Sequence, residues 1–271
     1  MEPVGTMAKT GTSLETLRRG KASLDAAGIP CQLVDLKADA GLAGNLRCPD
    51  AFVLVVRGGV NSFLGDEKGL KKVKAELDIK AFDKKALMRG AVKNKHARHN
   101  CVFAEEAQVA DIASGHGTVF AFSENPAIDA FRRTASLWAG TEEVLSVAEL
   151  NHYFDPDECG IGFHGDGERR IVVGARFGER SRDMPLRFVA FDNRMPIGSE
   201  VSIPLLDGDV YIMSEKAVGT DWMRAGIHFR HGTGSTKYAF SMEKLKKVAE
   251  AKLAKKVEKA AIAAEKKRVR E

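Results

Sequence analysis

Asn151-His-Tyr-Phe-Asp-Pro-Asp-Glu-Cys-Gly-Ile-Gly-Phe-His-Gly-Asp166 is the stretch on which the reading of this chain turns. A His and an Asp two residues apart on an extended chain point to the same side. His164 and Asp166 therefore offer an imidazole and a carboxylate to one point. Those are two of the three groups in the facial triad of non-haem iron(II) oxygenases, which leaves one face of the metal open for oxygen and a chelating co-substrate. Gly165 between them leaves space near such a metal.

Outward from this stretch, strand signals recur at 144–153, 170–177, 186–191, 200–205, 210–213 and 227–229, separated by turn residues. That spacing predicts an antiparallel sandwich or jelly roll. Upstream, Leu14, Leu17 and Leu24 predict a short helix ending at Gly28, and 31–36 alternates as a strand. The longest apolar run, 51–56, suits a buried strand halted by Gly58 and Gly59. Helices are expected over 66–77 and 126–137, and a strand over 117–122. Downstream, Met242, Leu245, Ala249, Leu253, Val257, Ala260 and Ala264 recur every three or four residues in a helix rich in Ala, Lys and Glu. The expected class is α+β: a disordered leader over 1–12, an N-terminal part over 13–142 packing on the core, a jelly-roll core over 143–240 and a basic helical tail over 241–271.

Charge follows the same division. The chain has 271 residues and a formal net charge of +5. The tail holds 11 Lys/Arg against 5 Asp/Glu, so the other 240 residues carry 31 against 32 and are nearly neutral. This excludes a uniformly basic protein. No apolar run approaches the ~18 residues of a membrane span, and the N-terminus lacks a signal-peptide pattern. Cys31, Cys48, Cys101 and Cys159 form no CxxC pair and read as free thiols of an intracellular protein.

At the His-x-Asp motif the chain resembles the AlkB-like 2-oxoglutarate and Fe(II)-dependent dioxygenases, over about 148–240. Lys95-His-Ala-Arg-His-Asn-Cys and Gly160-Ile-Gly-Phe-His-Gly-Asp-Gly-Glu-Arg-Arg are similar to a viral, algal and fungal branch of that family. The resemblance implies a double-stranded β-helix that binds Fe(II) and takes 2-oxoglutarate and oxygen as co-substrates. It assigns iron to His164 and Asp166, and 2-oxoglutarate to Asn151 and Tyr153. Ala175-Arg-Phe-Gly178 and Gly208-Asp-Val210 match two further family patterns. Arg224 and Arg230, six apart, have the spacing of the family's closing arginines, one of which clamps the distal carboxylate. The loop over 214–223 lacks the family's usual distal His. His231 is taken as the third iron ligand on its Arg-His pair, with His228 and Asp221 as alternatives. With His231 as ligand, Arg230 or Lys237 becomes an alternative clamp.

The substrate class that the resemblance implies is an alkylated nucleobase, reached by flipping it out of a duplex. Lys85, Arg89, Lys93, Lys95 and Arg98 are candidate phosphate contacts, and the basic tail adds salt-sensitive affinity. His96 and His99, near Cys101, read as phosphate or substrate contacts rather than a metal site. Arg169 or Arg170 is placed to pair with a carboxylate near the site. The rival reading is a catalytically inactive jelly-roll module that binds nucleic acid or protein.

Overall fold

The computed structural model describes residues 7–224 and 226–235, with scattered positions from 238 to 259. The run Phe52-Val-Leu-Val-Val56 shows why the molecule has the layers it has. Val53 and Val55 point into one core, while Phe52, Leu54 and Val56 point into another. A strand buried on both faces reads as a continuous apolar run rather than an alternating one.

The elements, in chain order, begin with α1 (Leu14–Ala26), β1 (Cys31–Asp35), α2 (Leu36–Asp39), β2 (Phe52–Val56), α3 (Gly59–Leu64) and α4 (Gly69–Asp78). There follow β3 (Lys85–Met88), β4 (Ala91–Asn94), β5 (His99–Ala104), β6 (Val119–Ala121), α5 (Pro126–Ala139) and β7 (Ala148–His152). The last group is β8 (Gly160–His164), β9 (Val172–Ala175), β10 (Leu186–Asp192), β11 (Met195–Ile203), β12 (Val210–Met213), α6 (Glu215–Val218) and β13 (His228–Gly234). The fold is mixed α+β, rich in antiparallel strands and without a closed barrel among the described residues.

Two four-stranded antiparallel sheets, ordered β1-β2-β12-β9 and β11-β10-β13-β8, share one core. Val53, Val55 and Met213 from the first meet Phe188, Val201 and Phe229 from the second. The outer face of the first sheet packs on α1, α3, α4 and α5, and on Cys101 and Phe103 of β5. A third sheet, β6-β5-β7, and the separate hairpin β3-β4 complete the body.

Three expectations are corrected. The boundary at 142 is not a structural one, because β1 and β2 supply half of a sheet whose other half is β12 and β9. Thr12, placed in the leader, is buried: its hydroxyl donates to the Ala139 carbonyl at 3.0 Å, and the Gly11 N–H donates to Glu215 at 2.7 Å. Gly58 and Gly59 open α3 rather than only ending a strand; a Cβ on Gly59 would come within 2.7 Å of Val210.

All four cysteines are free. No helix of the described residues is long and apolar enough to cross a membrane. In the tail, Met242, Leu245, Ala249, Leu253, Ala260 and Ala264 lie outside the described residues. Val257, read as part of their stripe, is 62% exposed.

Candidate metal centre and its cavity

The candidate centre is built where β8 ends beside β13. His164, the last residue of β8, stands directly opposite His231 in the antiparallel register. Opposed residues share a face of the sheet, and the two imidazole centroids lie 4.5 Å apart. The chain then turns through Gly165 so that Asp166 returns to the same point. Only glycine fits there, since a Cβ would come within 2.1 Å of the Gly219 carbonyl and 2.8 Å of Trp222. The space beside Gly165 thus belongs to the protein's own backbone and not to a metal's surroundings. The Asp166 N–H donates to the Val218 carbonyl at 3.1 Å, which ties the turn to α6.

His164 Nε2 is 3.5 Å and His231 Nε2 3.8 Å from Asp166 Oδ1. All three ligand atoms fall within 4.8 Å of one another, so this group could hold a metal ion. Ligand atoms ~2.1 Å from a shared ion are ~3 Å apart, so small inward rotations would close the set. His164 Nδ1 lies 2.9 Å from the Gly162 carbonyl, which favours the tautomer with a free Nε2 lone pair. The Ala217 backbone lies beside the His231 ring, yet Nδ1 closes no hydrogen bond of normal geometry.

The electrostatics suit a cation. Burial resists charge on Asp166, but His164, His231 and Arg169 outweigh it and hold the carboxyl below its usual range. Burial pushes His231 down to about 4, leaving it neutral and ready to ligate. Burial also works against protonated His164, but Asp166 and the Gly162 carbonyl outweigh it and raise that pKa. Arg169 Nε lies 3.9 Å from Asp166 Oδ2 and its Nη2 3.6 Å from Glu149, so of the adjacent pair Arg169 is the one that faces the centre.

The group opens on a cavity of about 1210 Å³. Asn151 and Tyr153 line it together with His164, Asp166 and His231. Asn151 Oδ1 accepts from Arg98 Nε at 2.5 Å, so Arg98, expected on phosphate, lies inside the cavity.

Arg224 and Arg230 are not brought to it. Arg230 follows the alternation of β13 and projects from the face opposite His231. Its guanidinium lies 4.1 Å over the Phe191 ring, and Nε donates to His228 Nε2 at 3.1 Å. His228 shares that face, stacked on Phe191 at 6.1 Å. Arg224 is exposed and lines a separate small polar recess. Asp221 pairs with Lys216 at 2.6 Å. Lys237 lies outside the described residues.

Arg176, not singled out as a clamp from the sequence, also lines the cavity. Its Nη2 donates to Thr233 Oγ1 at 3.1 Å, its Nε is buried without a partner, and it has no carboxylate partner among the described residues. The half-buried phenols of Tyr153 and Tyr211 both lie within its electrostatic reach. Arg176 sits inside Ala175-Arg-Phe-Gly178, a motif read for its small residue and glycine. A charged residue following a strand that is otherwise Val172-Val-Gly-Ala175 was the available signal.

No protein-family model matches the chain. It is 35% identical over 239 residues to the uncharacterized protein R156 of Acanthamoeba polyphaga mimivirus, a match covering 88% of this chain and 91% of that protein.

Proposed function

We propose, from the premise that this chain belongs to the same family as mimivirus protein R156, that it is an Fe(II)- and 2-oxoglutarate-dependent dioxygenase of AlkB-like type acting on an alkylated nucleobase. The observation that carries the reading is the convergence of His164, Asp166 and His231 at one end of a cavity that also holds an uncompensated arginine. The pair of four-stranded sheets is read as a distorted double-stranded β-helix, with the centre at the end of β8 beside β13.

Two imidazoles and one carboxylate are the donor set of a 2-His-1-carboxylate iron site. Bound there, iron supplies the oxidation of a C–H bond to an alcohol by oxygen, coupled to conversion of 2-oxoglutarate to succinate and carbon dioxide. On an N-methyl group the alcohol breaks down to formaldehyde and the unmodified base. The protein's part is to hold and orient. Asp166 stays anionic and His231 neutral across the physiological range. Arg176 takes the distal carboxylate of the co-substrate, for which a guanidinium is suited by its planar fork. Tyr153 contributes a phenol that burial keeps protonated. Arg98 fixes the Asn151 amide by holding its oxygen.

Anaerobic addition of Fe(II) and 2-oxoglutarate is expected to give a visible metal-to-ligand charge-transfer band, and addition of oxygen to give succinate. His164→Ala is expected to abolish both. Arg176→Met is expected to weaken 2-oxoglutarate binding by roughly 10-fold or more, the scale of a lost charge-assisted hydrogen bond, while metal binding persists. Absence of both band and succinate in the intact protein would leave the binding-module reading standing.

A further inference from the structure

From Lys80 to Arg98 the chain has seven Lys/Arg residues and one acid, Asp83. Asp83 is already engaged, accepting from the Thr118 N–H and hydroxyl, each at 2.7 Å. Lys84, Lys85, Arg89, Lys93, Lys95 and Arg98 have no carboxylate partner among the described residues. Many cations elsewhere do: Lys21 pairs with Asp25, Arg57 with Asp209 and Lys72 with Asp66. These six cations fall within the fifteen residues from Lys84 to Arg98.

Three of these cations stand on the β3-β4 hairpin, a two-stranded sheet whose residues are nearly all exposed. Its turn is Arg89-Gly90, with φ of +52° and +78°. Two-residue hairpin turns need positive φ and favour Asn or Gly first. Arg89 stands in this conformation at the tip, where it is exposed. The base of the hairpin is fastened to β5, where the Asp83 N–H donates to the Asn100 carbonyl at 2.9 Å.

At that base stands a row of four rings. Phe154 stacks on His99 at 4.2 Å and 20°. His99 faces its cross-strand partner His152 at 6.2 Å, and His152 meets Phe82 at 4.7 Å. Phe82 and His152 line the cavity of the candidate metal centre, while Phe154, at the other end, is 43% exposed. Desolvation and the neighbouring Lys84 hold both imidazoles below the ordinary histidine value, so both rings are neutral near pH 7.

We propose that this face is a groove for single-stranded nucleic acid, in which phosphates follow the hairpin cations, bases stack on Phe154 and His99, and the row leads past His152 and Phe82 into the cavity. Stacking needs the open face of a base, which a paired strand hides. An acidic peptide would satisfy the cations but bring no planar partner for the rings. The inference rests on the proposed dioxygenase reading only in giving the row a destination.

The test is fluorescence anisotropy on the full chain without metal or 2-oxoglutarate, using three labelled probes of one length: a single-stranded oligonucleotide, an abasic strand and a duplex. The ordinary single strand is expected to bind best. Phe154→Ala and His99→Ala are each expected to weaken it about 5-fold or more and to leave the abasic strand unchanged. Phe154→Tyr is expected to retain binding. The triple variant Lys85→Ala, Arg89→Ala, Lys93→Ala is expected to weaken both single strands and lower the log–log salt slope by about 2. Equal losses on base-bearing and abasic strands after Phe154→Ala, or tighter binding of the duplex, would overturn the groove. So would displacement of the oligonucleotide by poly-glutamate at equal charge concentration. Because no metal is present, a protein that binds no iron can still pass, and one that turns over 2-oxoglutarate can still fail.

Discussion

A histidine that ligates a metal must give up its proton first, and His231 has done so before any metal arrives. Its folded pKa is about 4, against an ordinary value of 6.5, and the dominant cause is burial. The sign for stability follows by linkage. Between pH 6.5 and 4 the unfolded chain takes up a proton that native His231 refuses, so the stability of metal-free protein falls as pH falls through this window. Above pH 6.5 the contribution is fully present, and its limit is about 3 kcal/mol. Urea unfolding at pH 7.5 and 5 should show a smaller decline for His231→Gln than for the unaltered protein. The position itself was half legible. His-x-Asp gave two members of the candidate group from local geometry, because residues two apart on an extended chain share a side. The third depended on which of His228 and His231 faces inward, and Thr233 on the inner face is two residues from His231 and five from His228. That parity places Arg230 on the outer face. The spacing of two arginines six apart carried no such information.

At the scale of elements, α5 shows how far a helix can depend on a distant residue. Asn125 stands at its N-cap without making a side-chain cap bond, and Pro126 follows. The exposed donors are met instead by Glu76 of α4, which accepts from the Ala127 and Ile128 N–H groups at 2.8 and 3.0 Å. The carboxylate also sits at the positive end of the helix dipole. Glu76→Ala is expected to cost about 1–2 kcal/mol, and Glu76→Gln less, measured by thermal unfolding. Nothing in the sequence near Pro126 announces this cap, because its acceptor is fifty residues earlier. The same holds for β3-β4. Its turn is Arg-Gly where Asn-Gly would have signalled a hairpin, so the stretch read only as basic. By contrast β12 was legible to the residue, since Val210-Tyr-Ile-Met213 is flanked by Gly208-Asp209 and Ser214.

Across the whole molecule, the neutral body and basic tail of the composition do not map onto two functional units. The body is close to neutral only because the rest of it carries 24 Lys/Arg against 31 Asp/Glu, which offsets the seven cations and one acid between Lys80 and Arg98. The tail positions that are described, such as Glu243, Lys247 and Val248, are helical and exposed. Removing residues 241–271 is therefore expected to leave the proposed iron and 2-oxoglutarate binding in place. It should reduce nucleic-acid affinity most at low salt, with the difference vanishing as ionic strength rises. A calorimetric titration of 2-oxoglutarate and an oligonucleotide binding series in salt would check the two halves of that statement. The sequence division at residue 142 failed for a reason at this scale. Strand partners β2 and β12 are more than 150 residues apart, and hydrogen-bond pairing leaves no mark on composition.

The tight pass at Gly165 gives the molecule an optical property. Its two tryptophans stand in different places. Trp138 is packed flat against Phe63 at 5.2 Å, on the helical side. Trp222 closes over Gly165, one residue from each of His164 and Asp166. Emission from Trp222 therefore has a quencher's address built beside it, and a paramagnetic ion seated between the histidines would dim that indole while leaving Trp138 bright. Replacing Trp222 with Phe would remove the dimming and, with it, the protein's own lamp on the site.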